Sequence, residues 1–251
     1  MEILEFGNLN DKKLVLIHGF QCPYTILDDY INYYKKDFHI IVPVLPGHNP
    51  NKKEEFISIQ QSIKEFEEYF TARYGNEIYA VYGMSVGGVF ACELWKNQNI
   101  SIEKLIIESS PLLPFGRRSI NFATNWYLKM SNKVRNGNKK TLKKAEKNMI
   151  PEKLMPDFQE VVKNMSDQSI RNYISEAGQF KITQEELGKI ENTKVIYFYG
   201  GKFSEILFKK VGHFIKRNYK LSTIKCLKGK KHCEDSLHHS DQWIFTLNHI
   251  L

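Results

Sequence analysis

Seven short apolar runs, separated by segments of helical period, constrain the fold of this chain more than any other feature of its sequence. Several inner runs are continuous rather than alternating, which is typical of strands covered on both faces. Between two runs, Ile59, Ile63, Phe66 and Phe70 are spaced three and four residues apart, as on one face of a helix. The alternation predicts an α/β fold with a mostly parallel, twisted central sheet and helices on both faces. The runs occupy residues 3–6, 14–17, 40–44, 78–82, 105–107, 195–199 and 223–227.

One long segment interrupts this alternation. Residues 112–190 contain no convincing strand but several amphipathic stretches, such as those around Trp126 and Tyr173. A structureless loop of that length would be unusual in a compact domain. Because sheets of this type carry their sites at the carboxyl ends of the strands, we predict a core formed by residues 1–111 and 191–251, with residues 112–190 inserted over that edge as a helical cap.

Composition and charge exclude several classes of protein. The 251 residues, 42% hydrophobic and 25% charged, are those of an ordinary folded domain. The four cysteines form no close pair, so we expect reduced thiols, with Cys92 and Cys226 as small core residues. The acidic start is unlike a secretory signal and no run approaches the roughly 20 apolar residues of a membrane span, which predicts a cytoplasmic protein. The net charge of +8 is scattered and accompanied by no nucleic-acid motif, so we expect no nucleic-acid partner.

The strongest chemical signal is a Gly-Met-Ser-Val-Gly sequence between a predicted strand and a predicted helix. A serine at such a corner has its hydroxyl lifted clear of the sheet, and Gly83 and Gly87 are needed because neighbouring backbone passes close by. The helix that follows directs its N-terminal N–H groups at the reacting site. The pattern predicts Ser85 as a nucleophile; the alternative is a glycine-rich turn in which Ser85 only caps the helix.

A second signal is the strand that ends in His18-Gly19-Phe20. Acyl transfer needs N–H donors for an oxyanion, one from the residue after the nucleophile and one from the loop after this strand. Those donors would be the backbone N–H groups of Val86 and Phe20. We interpret His18 itself as a residue that holds its loop by hydrogen bonds.

Together, these two motifs and a later Leu-Pro-Gly-His sequence at residues 45–48 resemble the α/β-hydrolase family, particularly its capped esterases, lipases and peptidases. The likeness spans nearly the whole chain outside residues 112–190. It implies a triad in the chain order serine, acid, histidine, with the histidine in the loop after the last strand. His232 occupies that position, and its imidazole can take and return a proton near neutral pH. His238 and His239 are the alternatives.

The triad acid is left open by the sequence. The family usually has an aspartate after the strand beyond the cap, but no aspartate occurs between Asp167 and Asp235. Glu205 is the nearest carboxylate there, and a glutamate can hold a histidine tautomer as an aspartate does. The plainer interpretation is that Glu205 lies in the first turn of a helix capped by Ser204. Glu108, at the end of an inner strand, is the second candidate, and a site without a working acid is the third.

The resemblance implies a serine hydrolase that cleaves a carboxylic ester of a small molecule through an acyl-enzyme, with no metal or organic cofactor. A peptidase, thioesterase or lactonase could use the same residues, and so could a catalytically silent binding protein on the same scaffold. Phe20, Cys22 and Met84 flank the expected site, and Trp126 and Tyr127 are candidates for an acyl pocket, although apolar residues of this kind more often serve packing.

Overall fold

A twisted sheet of seven strands forms the centre of the computed structural model, which describes residues 1–251. The strands lie in the order β1-β3-β2-β4-β5-β6-β7, and all neighbours are parallel except β1, which runs antiparallel to β3. Each of the seven predicted runs falls within one strand, so the predicted fold class is confirmed. The strands are β1 (Glu2–Phe6), β2 (Lys13–Ile17), β3 (His39–Val44), β4 (Glu77–Met84), β5 (Ser101–Glu108), β6 (Lys194–Gly200) and β7 (Ser222–Leu227).

Eleven α-helices surround this sheet. Six connect or follow the strands, and five lie one after another between β5 and β6. The six are α1 (Asp28–Tyr34), α2 (Ile59–Tyr74), α3 (Val86–Asn97), α9 (Ile206–Asn218), α10 (Glu234–His238) and α11 (Ser240–Asn248). The five are α4 (Arg117–Arg135), α5 (Lys139–Asn148), α6 (Met155–Asn164), α7 (Asp167–Gln179) and α8 (Gln184–Lys189). None of the helices is both long enough and apolar enough to span a membrane.

The continuous apolar runs are explained by two hydrophobic clusters, one on each face of the sheet. Val15 and Ile17 belong to the cluster packed under α2, α3 and α9, whereas Leu14 and Leu16 belong to the cluster under α1 and α11. Successive side chains of a strand point to opposite faces. A strand that is buried on both sides is therefore apolar at nearly every position.

The edge strand β7 departs from this rule, and the expectation that Cys226 is buried there was wrong. Cys226 was expected in the core, but its side chain is exposed, whereas Cys92 in α3 is buried as expected. The strand has only one neighbour, β6, and its burial is correspondingly incomplete. An apolar residue in a predicted strand is therefore a weaker indicator of burial at the edge of the sheet than at its centre.

Trp243 of α11 anchors the cluster under α1 and α11. Its side chain is fully buried, its ring contacts Phe198 with ring centres 4.9 Å apart, and its Nε1–H donates to the Tyr82 hydroxyl at 3.1 Å. This single side chain therefore joins α11 to β6 and β4 through both packing and a hydrogen bond.

We expect Trp243→Ala to lower the free energy of unfolding by about 3–5 kcal/mol, because it leaves a cavity against the sheet and removes the hydrogen bond that the Tyr82 hydroxyl accepts. Phe245→Ala is the matched control: it lies on the same helix but its side chain is 66% exposed, so its effect should stay within about 0.5 kcal/mol. Urea unfolding followed by circular dichroism measures both. Equal effects of the two substitutions would contradict the assignment of Trp243 as the anchor.

Candidate active site

The loops that follow the parallel strands meet at one edge of the sheet, and Ser85 lies at its centre, directly after β4. Its φ of 53° and ψ of −118° lie outside the regions that a non-glycine residue favours. Two hydrogen bonds hold this corner: the Ser85 N–H donates to the Glu108 carbonyl at 2.8 Å, and the Ser110 hydroxyl donates to the Ser85 carbonyl at 2.6 Å. Backbone strain of this kind costs on the order of 1–3 kcal/mol and persists only where neighbours enforce it.

The glycines around Ser85 are dictated by contact with neighbouring backbone. A Cβ on Gly83 would lie 2.6 Å from the carbonyl oxygen of Gly87, and a Cβ on Gly87 would lie 2.4 Å from the carbonyl oxygen of His18. Neither approach is sterically possible. The glycine pattern thus allows α3 to begin immediately after Ser85 and to pack closely against β2.

His232 is brought to Ser85 by the loop that follows β7. Its Nε2 lies 2.9 Å from the Ser85 Oγ, and its Nδ1 lies 3.4 Å from the Glu205 Oε2. The ring packs against Phe208 with ring centres 4.9 Å apart, and 38% of the side chain is exposed. The alternatives, His238 and His239, do not line the cavity at Ser85, and His239 lies instead 3.7 Å from Asp235.

Glu205 is buried at the start of α9, with only 3% of the residue exposed. Its Oε2 also accepts from the Ser109 hydroxyl at 3.4 Å, and its Oε1 accepts from the Ser204 hydroxyl at 3.5 Å. Ser204 therefore does not cap α9 as expected; it lies in a 3₁₀ turn (Phe203–Glu205), and Glu205 itself occupies the N-cap position. All three contacts exceed the usual 2.7–3.2 Å, so each is a weak hydrogen bond.

Glu108, the second candidate acid, is directed away from His232. It is fully buried at the end of β5, and its Oε2 accepts from the Tyr82 hydroxyl at 2.6 Å. The other carboxyl oxygen, Oε1, is buried without a partner. Burial raises the pKa of Glu108 from 4.5 to about 7, although the Tyr82 hydrogen bond opposes the shift.

Two buried histidines join the loops beside Ser85. His18 Nε2 accepts from the Leu45 N–H at 3.1 Å, so its proton lies on Nδ1, which donates to the Gly19 carbonyl at 3.0 Å. His48 Nε2 accepts from the Gln21 N–H at 2.8 Å. Burial lowers the pKa of His18 to about 4 and that of His48 well below its usual range. Both rings are therefore neutral near pH 7 and serve as structural links between the loops after β2 and β3.

The backbone N–H groups of Phe20 and Val86 lie at the same edge of the sheet. Val86 is the first residue of α3, so its N–H has no acceptor within the helix. The Phe20 N–H makes none of the hydrogen bonds formed outside the helices and strands. Both residues line the cavity that contains the Ser85 hydroxyl. Two unpaired donors beside the Ser85 hydroxyl could stabilise a negatively charged oxygen there.

A cavity of about 380 Å³ opens above Ser85. Its hydrogen-bonding side chains include those of Ser85, Tyr127, Asn148, Glu205 and His232, and the rest of its wall is mainly apolar. Cys22 and Met84 line it, as does Tyr127, whereas Trp126 faces a second cavity. Further apolar side chains come from α4, from α7 and from the residue directly after α5: Ile120, Ala123, Ile174, Ala177 and Met149.

Sequence reasoning missed three contributors to this site. Ser109 and Ser110 contact Glu205 and the Ser85 carbonyl, and Asn148 joins the cavity wall. The two serines follow β5 directly, so the rule that sites lie at the carboxyl ends of parallel strands could have identified them. No comparable signal marks Asn148, which is distant from the other site residues along the chain.

Comparisons with known proteins agree on the architecture. No family model and no curated protein matches the sequence, but many solved structures match the fold. A protein of the alpha/beta hydrolase family from Desulfitobacterium hafniense superposes with a TM-score of 0.79 at 16% identity, covering 99% of both chains.

Two further neighbours are esterases. A carboxylesterase from Nitrososphaera gargenis has a TM-score of 0.76 at 14% identity over 99% of this chain and 93% of the other. The esterase EaEST from Exiguobacterium antarcticum has a TM-score of 0.73 at 14% identity, over 99% and 94%. At identities this low, structural similarity establishes the fold but no finer property. On that evidence the chain has the α/β-hydrolase fold.

Proposed function

We propose that this protein is a serine hydrolase that cleaves a carboxylic ester of a small molecule, with Ser85 as nucleophile and His232 as general base. The observation that carries the proposal is the distance of 2.9 Å between the Ser85 Oγ and the His232 Nε2. This is proton-transfer distance between a strained serine and an imidazole. The apolar wall of the cavity favours an uncharged acyl group over a charged one.

The proposed reaction assigns one group near Ser85 to each step. His232 Nε2 removes the proton from the Ser85 Oγ, which attacks the ester carbonyl, while the N–H groups of Phe20 and Val86 stabilise the oxyanion. The tetrahedral intermediate collapses as His232 returns the proton to the departing alcohol oxygen, leaving an acyl group on Ser85. A water molecule, deprotonated by His232, then attacks the acyl-enzyme and releases the carboxylic acid.

Glu205 is the triad acid in this proposal. For Nε2 to accept the serine proton, the neutral ring must carry its own proton on Nδ1, and the nearest acceptor for that proton is the Glu205 Oε2. A carboxylate there fixes the tautomer and stabilises the imidazolium that forms during the reaction. Glu108 cannot take this role without leaving Tyr82, because its bonded oxygen accepts from that hydroxyl.

Residues 112–190 act as the cap of this enzyme in the proposal. They follow β5 and return to β6, and they contribute side chains of α4, α5 and α7 to the cavity above Ser85. A cap of this kind covers the acyl group and excludes water from the reacting bond.

The first prediction from the proposed active site concerns Ser85. A fluorophosphonate probe should label the wild-type protein covalently, whereas Ser85→Ala should not be labelled. Ser101→Ala is the matched control, because that serine is exposed at the opposite end of β5 from the site, and it should keep the label. Intact-protein mass spectrometry reads the result. An unlabelled wild-type protein would favour the silent binding protein over the enzyme.

The second prediction distinguishes the two glutamates. Glu205→Gln should lower kcat for p-nitrophenyl butanoate by about 10³- to 10⁴-fold, because a glutamine amide can donate to Nδ1 and thereby favour the wrong tautomer. Glu108→Gln should lower kcat by less than about tenfold, since Glu108 does not contact His232. Steady-state kinetics at pH 8 compares the two variants, and the reverse ranking would assign the acid to Glu108.

The third prediction follows from the raised pKa of Glu108. An unfolded glutamate loses its proton near pH 4.5, whereas folded Glu108 keeps it to about pH 7. Between these values the unfolded chain binds fewer protons than the folded chain, so the free energy of unfolding falls as pH rises. Relative to Glu108→Gln, the wild type should lose on the order of 3 kcal/mol between pH 4.5 and pH 8. Urea unfolding at both pH values tests this, and a constant difference between the proteins would contradict it.

A further inference from the structure

A second cavity lies beside the one that contains Ser85. Its volume is about 220 Å³, it is partly open to solvent, and it is lined mainly by α4, α5 and α6. Its wall is mainly apolar, with Trp126, Met130, Val134, Ala145 and Phe158 among its side chains. An apolar space of this size can accept hydrocarbon without the cost of leaving polar groups unpaired.

Three residues line both cavities and form the wall between them: Tyr127, Asn148 and Met149. Two of the three are held in place. The Tyr127 ring packs edge-on against Phe20, with ring centres 5.1 Å apart. Asn148 accepts from the Lys231 ammonium at 3.2 Å and donates to the Lys144 carbonyl at 2.8 Å, which ties the end of α5 to the residue before His232.

Met149 is the member of the wall that can move. It is the residue directly after α5, its side chain is half-buried, and a thioether chain has three rotatable bonds with no polar atom that needs a partner. The next residue, Ile150, is fully buried and anchors the backbone. A rotation of the Met149 side chain could therefore join the two cavities without unfolding the segment.

The volumes indicate how much substrate each cavity can hold. A dry cavity of about 150 Å³ accommodates benzene, which has six carbon atoms. On that scale the cavity at Ser85 holds roughly fifteen non-hydrogen atoms, and the second cavity holds roughly nine more. Counted as whole esters, p-nitrophenyl butanoate with fifteen non-hydrogen atoms fits the first cavity alone, whereas p-nitrophenyl decanoate with twenty-one needs both.

We propose that the substrates are esters of linear aliphatic acids and that Met149 sets the upper limit of the acyl chain length; this inference rests on the proposed function. The alcohol must leave beside His232, which returns the proton to it. The acyl chain then takes the apolar part of the cavity, toward Tyr127 and Met149, which also line the second cavity. When the Met149 side chain stands in the wall, the acyl chain can extend no further than Met149.

The test compares kcat/KM for p-nitrophenyl esters from acetate to dodecanoate. The wild type should prefer butanoate or hexanoate. In Met149→Ala, the ratio of decanoate to butanoate should rise by about tenfold or more, since each chain carbon accommodated in an apolar pocket changes discrimination substantially. Leu142→Ala is the matched control: it truncates a half-buried residue of α5, the helix that ends just before Met149, and it lines neither cavity, so the ratio should stay within about twofold of wild type.

A second variant changes the wall in the opposite direction. Met149→Phe thickens it, so the ratio of decanoate to butanoate should fall below the wild-type value. If both Met149 variants are labelled by the fluorophosphonate probe and hydrolyse butanoate but keep the wild-type ratio, Met149 does not limit chain length and the inference is overturned. If instead the wild type neither takes the label nor hydrolyses any ester, the proposed function fails and this inference fails with it.

Discussion

The hydrogen bond from the Ser85 N–H to the Glu108 carbonyl, 2.8 Å long, is the contact on which the site depends. It continues the pairing of β4 with β5 one step beyond the end of β4, and so it fixes the direction in which the chain leaves the sheet. Ser85 has to adopt a positive φ to turn from that bond directly into α3. The glycines at 83 and 87 let neighbouring backbone close around the corner, and the hydroxyl is left on the cavity side.

The loops around this corner are held by neutral imidazoles rather than by ion pairs. Each of His18 and His48 accepts an N–H from a neighbouring loop and donates to a nearby carbonyl. Burial keeps the pKa of both rings low, so neither takes up a charge near neutral pH. His232, by contrast, is more than one-third exposed. Burial thus separates the histidines that hold the framework from the one that is positioned to exchange protons.

Much of the fold could be predicted from the sequence because a strand buried on both faces is a continuous apolar run. All seven strands appeared as apolar runs, and the position of His232 followed from the order of elements. Cys226 was misplaced because an edge strand is covered less completely than the run suggests. The wall formed by Asn148 and Met149 could not be predicted from the sequence, because it depends on a contact between α5 and Lys231, which lie far apart in the chain.

The carboxyl groups of Glu205 and Glu108 point in different directions, and the position of each residue relative to its strand explains why. Side chains alternate along β5, so Glu108 points to the same face as Ile106, where Tyr82 and Trp243 also lie. Its carbonyl can therefore support Ser85 while its carboxyl group is directed away from the cavity. Glu205 is free of this alternation, because it lies beyond the end of β6 in a short turn, and a turn can direct a carboxylate toward His232. The two glutamates contribute to one site through different groups, one through its backbone and the other through its side chain.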